Sequence, residues 1–155
     1  MPDLLIRPAT IADVYAIAAS LRPADAAEAL AVGKDPRRAL RASFRTSLTP
    51  AKVLLIDGRH AALWGLGGDI LSDVGIPWLL TTPAIERVPM YFTHQAALER
   101  DAMLAIKPRL ENFVAADYLA AVRFAALLGF AVDPPFPVGP GRVLFRRFWT
   151  ERRSS

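Results

Sequence analysis

The hydrophobic period changes along this chain, and that change limits the possible folds more than any other feature of the sequence. Between Thr10 and Leu48 the apolar residues sit at helical spacing: Ile11, Val14, Ile17, Ala18 and Leu21 share one stripe, as a helix with one buried face requires. From Lys52 the pattern is extended, with Val53-Leu54-Leu55-Ile56, then Asp57-Gly58, then Ala61 to Leu66. Two apolar runs around Asp-Gly read as a β-hairpin, because the tight turn that matches strand twist needs positive φ. A chain that alternates in this way belongs to the α/β class, with a mixed sheet flanked by helices.

The remaining elements follow from punctuation. Leu4-Leu5-Ile6 reads as a first strand, and Thr10 with Asp13 forms an approximate capping box that starts a helix. Pro23 ends that helix or passes it to a second one through Ala31, with Gly33 as its stop; Asp35-Pro36 starts another that runs to about Leu48. A strand at Ile76 to Thr81 precedes a long helix from Pro83 to Ile106, broken or kinked at Pro89. Leu110 to Val114 is a strand, Asp117 caps a helix carrying Leu119, Val122, Ala126 and Leu127, and Gly129 ends it. Phe130 to Val132 is a strand, Pro134 to Pro137 a rigid turn, and Gly141 to Trp149 the last strand. Gly65, Gly67 and Gly68 predict a bulge or a close backbone approach. Leu54, Leu63, Leu79, Leu104, Phe113, Leu127 and Phe130 are expected to share one core.

With 155 residues, 53% of them hydrophobic and 22% charged, the expectation is one ordered domain over 1–150 and a basic tail over 151–155. No apolar run approaches the roughly 20 residues that cross a bilayer, and Met1-Pro2-Asp3 does not open a signal peptide. A soluble cytoplasmic protein is expected. The chain has no cysteine, which excludes disulfides, Cys-bound zinc and thiol nucleophiles. Its two histidines, His60 and His94, lack metal-ligand spacing, so no metal site is expected. The net charge of +4 is spread along the chain and not gathered into a block with aromatics, which argues against specific nucleic-acid binding.

Three local patterns invite a sharper reading and do not sustain it. Gly65-Leu66-Gly67-Gly68 lies inside a hairpin, with no helix and no Lys-Ser/Thr after it, so it is not a phosphate loop. His94 with Glu99 and Asp101 has no third group to orient the imidazole, and the spacing fits an exposed helix face. Trp64 and Trp78 read as core in preference to cleft residues, and Tyr118 either packs or faces a groove.

The element order, Ile6-Arg7-Pro8-Ala9 before a Thr-capped helix, and Asn112 to Phe130 closing on Leu128-Gly129-Phe130 together resemble the GNAT N-acetyltransferase superfamily over nearly the whole chain. The resemblance implies the acyl-CoA N-acyltransferase fold, with a sheet that splays between the strand ending near Thr81 and the strand ending near Val114. It also implies a glycine-rich basic loop after the first of these strands, where backbone amides at a helix N-terminus hold the coenzyme A pyrophosphate. Here that place reads Thr81-Thr82-Pro83-Ala84-Ile85-Glu86-Arg87-Val88-Pro89, without glycine, with two prolines that lack N–H and with an added carboxylate. Thr81, Thr82 and Arg87 are what remains to favour an anion, and with Tyr118 they mark a vestigial cleft. Members of the family commonly carry a general-acid tyrosine four residues before the closing glycine and an asparagine eleven before it; Ala125 and Tyr118 stand there. No catalytic residue is therefore assigned and no cofactor is expected.

Trp78 followed by Thr81-Thr82, and Arg123-Phe124 before Gly129, look most like the GNAT-like internal virion proteins of short-tailed phages and prophages. That resemblance implies a virion-associated or assembly protein whose partners are other virion subunits. Two functions stand at this point: a non-catalytic interaction module on the acetyltransferase scaffold, and an acetyl-CoA-dependent N-acyltransferase with an atypical donor loop, for which Asp69 would be a base.

Overall fold

The computed structural model describes residues 1–21 and 36–153. Its strands are β1 (Leu4–Pro8), β2 (Lys52–Ile56), β3 (Arg59–Gly67), β4 (Val74–Thr81), β5 (Arg109–Ala115), β6 (Ala131–Val132), β7 (Phe136–Val138) and β8 (Val143–Glu151). The helices are α1 (Ile11–Ala19), α2 (Pro36–Arg45), α3 (Pro89–Ile106) and α4 (Leu119–Leu127), with a 3-10 helix at Pro83–Arg87. The helix expected between Pro23 and Gly33 lies outside the described residues. One sheet runs β1-β2-β3-β4-β5-β8-β6, with β7 also on β8, and it is mixed: β4 and β5 are parallel and every other pair is antiparallel. The mixed sheet flanked by helices is the architecture expected.

The first half of the sheet is covered on both faces. Val14, Ile17 and Leu40 from α1 and α2 pack on Val53 and Leu63, while Leu54, Ile56, Ala62 and Trp64 point to the other face, against Ile85, Tyr91 and Phe92. A third cluster joins Leu66, Leu110, Ala125, Leu128 and Phe130 beside α3 and α4. Among the described residues the buried side chains thus form three clusters where one core was expected. Phe113 and Leu127 are in none of them and are half or more exposed, because the pleat of β5 and the outer stripe of α4 turn them outward.

Asp57 and Gly58 both have positive φ, as the hairpin requires. The bulge is not at the glycines. The β2–β3 register runs from Leu54–Ala62 to Leu55–His60, so Ala61 is the extra residue. Gly65 instead makes room for Trp78, whose ring lies where a Cβ would be, 2.5 Å from the nearest ring carbon. Two boundaries also differ. Tyr118, not Asp117, is the N-cap of α4, and the Pro134–Pro137 segment runs into an edge strand on β8, where Pro is tolerated. β8 continues through Glu151, and Arg152 donates its backbone N–H to Pro108 O at 2.7 Å. The ordered sheet therefore extends past residue 150, into the segment expected to be tail.

Candidate functional site

The β4–β5 ladder covers only Val74–Arg109 and Gly75–Leu110. Beyond it the strands diverge toward their carboxyl ends, the place where open α/β sheets bind ligands. The sequence explains why pairing stops. Pro77 has no N–H to offer a neighbour, and Asn112 fills the apex of the splay. Its Nδ2 donates to Pro77 O at 2.7 Å, and its Oδ1 accepts the Phe113 N–H at 2.8 Å. One carboxamide satisfies a main-chain group on each strand where the ladder would otherwise continue.

The splay opens into a cleft of about 860 Å³ that reaches both faces of the sheet, with Leu40 and Ser43 on one side and Phe92 and Ala96 on the other. That volume is within the range of ligand sites, about 300–1,000 Å³. Its lining is mainly apolar, and its charges are few. Glu99 accepts from Lys52 Nζ at 3.1 Å, and Arg100 donates to Leu128 O and pairs with Asp101 at 2.9 Å. Glu86 is the third charged lining residue. Trp64 and Trp78 both line the cleft, so they are cleft walls as well as packing residues. Their indole Nε1 atoms are buried without a hydrogen-bond partner among the described residues. An unmet buried donor costs about 1–3 kcal/mol.

At the carboxyl end of β4 the local bonds are closed. Thr82 is buried; its Oγ1 donates to His60 O at 2.7 Å and accepts the Ala84 N–H at 3.3 Å. The Ile85 N–H goes to Thr82 O and the Val88 N–H to Ile85 O, each at 3.1 Å. Pro83 and Pro89 have no N–H. The turn that would present amides to a pyrophosphate thus engages three of them internally and lacks two more. Arg87 is turned to Asp57, 2.9 Å away, and the Asp3 N–H, followed by this contact, holds the Asp57 carboxyl below its usual range.

Of the four residues singled out from sequence, Thr81 and Tyr118 line the cleft, whereas Thr82 lies beneath the turn and Arg87 points to the β2–β3 hairpin. Ala125 also lines it and is buried. Asp69 is not a cleft residue. It sits in the β3–β4 loop beside the paired end of β4, where its Oδ1 accepts the Leu71 N–H at 2.9 Å. His94 is exposed on α3. Among the described residues no group of three or more His, Asp or Glu could hold a metal ion, and no helix is long and apolar enough to cross a membrane.

Three residues that matter here had no role assigned from the sequence. Asn112 was visible only as a polar residue in a strand. His60 meets Asp13 at 2.8 Å across 47 positions. Lys107 is buried, and its Nζ donates to the carbonyls of Asp69, Ile70 and Ser72, which fixes the β3–β4 loop.

No known protein-family model matches the chain, and no curated protein does either. Solved structures do. A ribosomal-protein-alanine N-acetyltransferase from Brucella melitensis superposes with TM-score 0.69 at 21% identity, covering 96% of this chain and 99% of that one. Ard1 from Thermoplasma volcanium gives 0.72 at 13%, covering 97% and 99%. YncA from Salmonella typhimurium, solved with its cofactor acetyl-CoA, gives 0.67 at 18%, covering 98% and 95%. The chain has the fold of the GNAT acetyltransferases. At these identities the likeness concerns the fold, and it carries nothing about a phage origin.

Proposed function

We propose that this chain is a non-catalytic GNAT-fold interaction protein, whose cleft receives a protein partner and not coenzyme A. The observation that carries this reading is the closed turn after β4. The Ala84, Ile85 and Val88 amides are engaged locally, Pro83 and Pro89 have none, and Glu86 adds negative charge. A pyrophosphate placed there would meet few donors and a carboxylate. Ala125 supplies no proton to a departing thiolate. The sequence resemblance to internal virion proteins of short-tailed phages makes a virion or assembly subunit the partner we propose.

The test is a calorimetric titration with acetyl-CoA. No saturable binding is expected at sub-millimolar concentration, which corresponds to less than about 4 kcal/mol at the millimolar limit. A micromolar dissociation constant overturns the reading.

A second reading, an acetyl-CoA-dependent N-acyltransferase with an atypical donor loop, is favoured by two observations. The cleft opens to both faces of the sheet, as a donor and an acceptor meeting in it would need. The solved structures of this fold are acetyltransferases, one of them holding acetyl-CoA. This reading has to proceed without Asp69, which lies away from the cleft, and with Tyr118 as a lining hydroxyl. Turnover of acetyl-CoA in the presence of a peptide amine would establish it.

A further inference from the structure

We infer that the outer face of α2 docks on a nucleic-acid backbone, held through its phosphates and without regard to base sequence. The inference goes beyond the reading above and does not depend on what the cleft takes.

The chain has 19 basic and 15 acidic residues. Four of the basic ones, Arg37, Arg38, Arg41 and Arg45, lie on α2, whose ten residues include no Asp or Glu. The rest of the chain is therefore balanced, 15 against 15. The net charge of +4, expected to be spread along the chain, equals that of one helix.

Helix geometry puts these cations on one side. Leu40 is buried in a cluster with Val14, Ile17 and Val53, and Phe44 packs on the same cluster. Arg38, Arg41 and Arg45 recur three and four positions apart on the opposite face, a line of about 10 Å at about 1.5 Å per residue. Arg38 and Arg45 are exposed and Arg41 is half-buried. Elsewhere Arg7, Lys52, Arg87, Arg100, Arg109 and Arg147 each meet a carboxylate. Among the described residues, no carboxylate pairs with Arg38, Arg41 or Arg45. Helix energetics does not explain the stripe either. Like charges at this spacing repel, and Arg38 stands in the first turn, where the helix dipole disfavours a cation. A bound polyanion relieves both costs.

The make-up of the face selects among anions. A protein partner is held by an aromatic or aliphatic anchor at the centre of its interface, and the only other exposed residue described on α2 is Ala42. A membrane surface holds a helix through apolar residues that insert, and Leu40 and Phe44 are turned to the core. Phosphodiesters need cations alone. All four basic residues of α2 are Arg, whose planar fork meets a phosphate through paired N–H groups. With no exposed aromatic on α2 to stack on bases, the contacts fall on the backbone.

Fluorescence anisotropy tests this with the full chain and two short DNA duplexes of unrelated sequence. Both should bind saturably and equally in low salt. Three phosphate contacts make log K fall against log salt with a slope of about −3. Arg38→Gln, Arg41→Gln and Arg45→Gln together should weaken binding at least tenfold, and Gln is close to Arg as a helix former, so the fold is kept. Singly, Arg38→Gln and Arg45→Gln should each lower the slope by about one. Removing the same charge elsewhere, at the exposed Arg59, Arg123 and Arg153, should leave the slope and affinity nearly unchanged. Oligoglutamate and vesicles containing phosphatidylserine should bind at least tenfold more weakly than DNA. No duplex binding, equal losses in the two triple variants, or oligoglutamate or vesicles bound as tightly as DNA overturns the inference.

Discussion

Asp13, behind the β4 wall of the cleft, is 3% exposed, whereas the Asp133 side chain, which braces the β5 wall, is 30% exposed. The two aspartates use similar partners. Asp13 accepts a bidentate Arg7 at 2.7 and 2.9 Å, the Thr10 N–H at 2.7 Å and His60 Nε2 at 2.8 Å. Asp133 accepts Trp149 Nε1 at 3.0 Å and Arg147 Nε at 2.6 Å, and Arg147 reaches on to Glu111 of β5 at 3.0 Å. The difference lies in depth and in what each cluster holds. The Asp13 cluster ties α1 to the start of β3, and the carbonyl of its His60 receives Thr82 Oγ1, so the buried group supports the turn after β4. The Asp133 cluster lies among half-exposed side chains on β5 and β8, where water reaches and screens it. Removing one partner therefore costs more on the buried wall, where the other groups are left unpaired, than on the half-exposed one.

The largest expected effect follows from packing. Leu63 is fully buried behind β4, and Leu63→Ala should cost about 2–5 kcal/mol in denaturant unfolding. Phe113→Ala on the β5 wall, where the ring is half exposed, should cost clearly less. Equal losses would break the comparison. Next comes Asp13→Asn, with an expected loss of about 1–3 kcal/mol, because Asn keeps the size but leaves Arg7 and the Thr10 N–H poorly paired. The pH dependence has a definite sign. Arg7, followed by the Thr10 and His60 bonds, holds the Asp13 carboxyl well below its usual range. Its contribution is therefore complete above the unfolded pKa of about 4 and is lost as pH falls below that value. Acid unfolding curves of the two proteins should converge at low pH; a constant gap would show that the charge is not what matters.

The order and type of the elements were legible in the sequence because local chemistry sets them. Asp57-Gly58 needs positive φ, Gly129 ends α4 with φ of 88°, and Pro89 separates the 3-10 helix from α3. The splay was legible only through resemblance. Periodicity could not reveal it, since a strand that loses its neighbour keeps the same alternation. The single expected core failed because the sheet separates its two faces, with Leu63 packed on one and Leu54 on the other, and Phe113 lands at a cleft edge, against Phe136 with ring centroids 5.7 Å apart. The closed turn was half legible. Proline at 83 and 89 announced missing amides, but Thr82, which occupies the Ala84 and Ile85 amides, is itself held by His60 O, 22 residues away in sequence.

Asn112→Ala tests the apex between the two walls. Removing the carboxamide leaves Pro77 O and the Phe113 N–H without their partner, and the site is only part-buried, so about 0.5–1.5 kcal/mol is expected. The telling readout is local. Hydrogen exchange at Phe113 should accelerate while the buried strands around Leu54 and Leu63 stay protected. Unchanged exchange at Phe113 would mean that Asn112 is incidental to the splay.

The smallest effect is expected at Asp133, and it is the sharpest test of depth. The Trp149 N–H, ahead of the Arg147 guanidinium, lowers the pKa of Asp133, so its contribution also belongs above the ordinary carboxylate range and fades as pH drops through it. The direction matches that of Asp13, and pH alone therefore cannot separate the two. Salt can. Exposed charges a few ångströms apart are weakened as the screening length falls from about 10 Å at 0.1 M to about 3 Å at 1 M, while buried pairs are screened much less. Asp133→Asn should thus destabilise less than Asp13→Asn in dilute buffer, and most of its loss should vanish in 1 M salt while the Asp13→Asn loss persists. If salt removes both losses equally, Asp13 is as wet as Asp133 in solution, and the β4 wall is not braced by a buried charge.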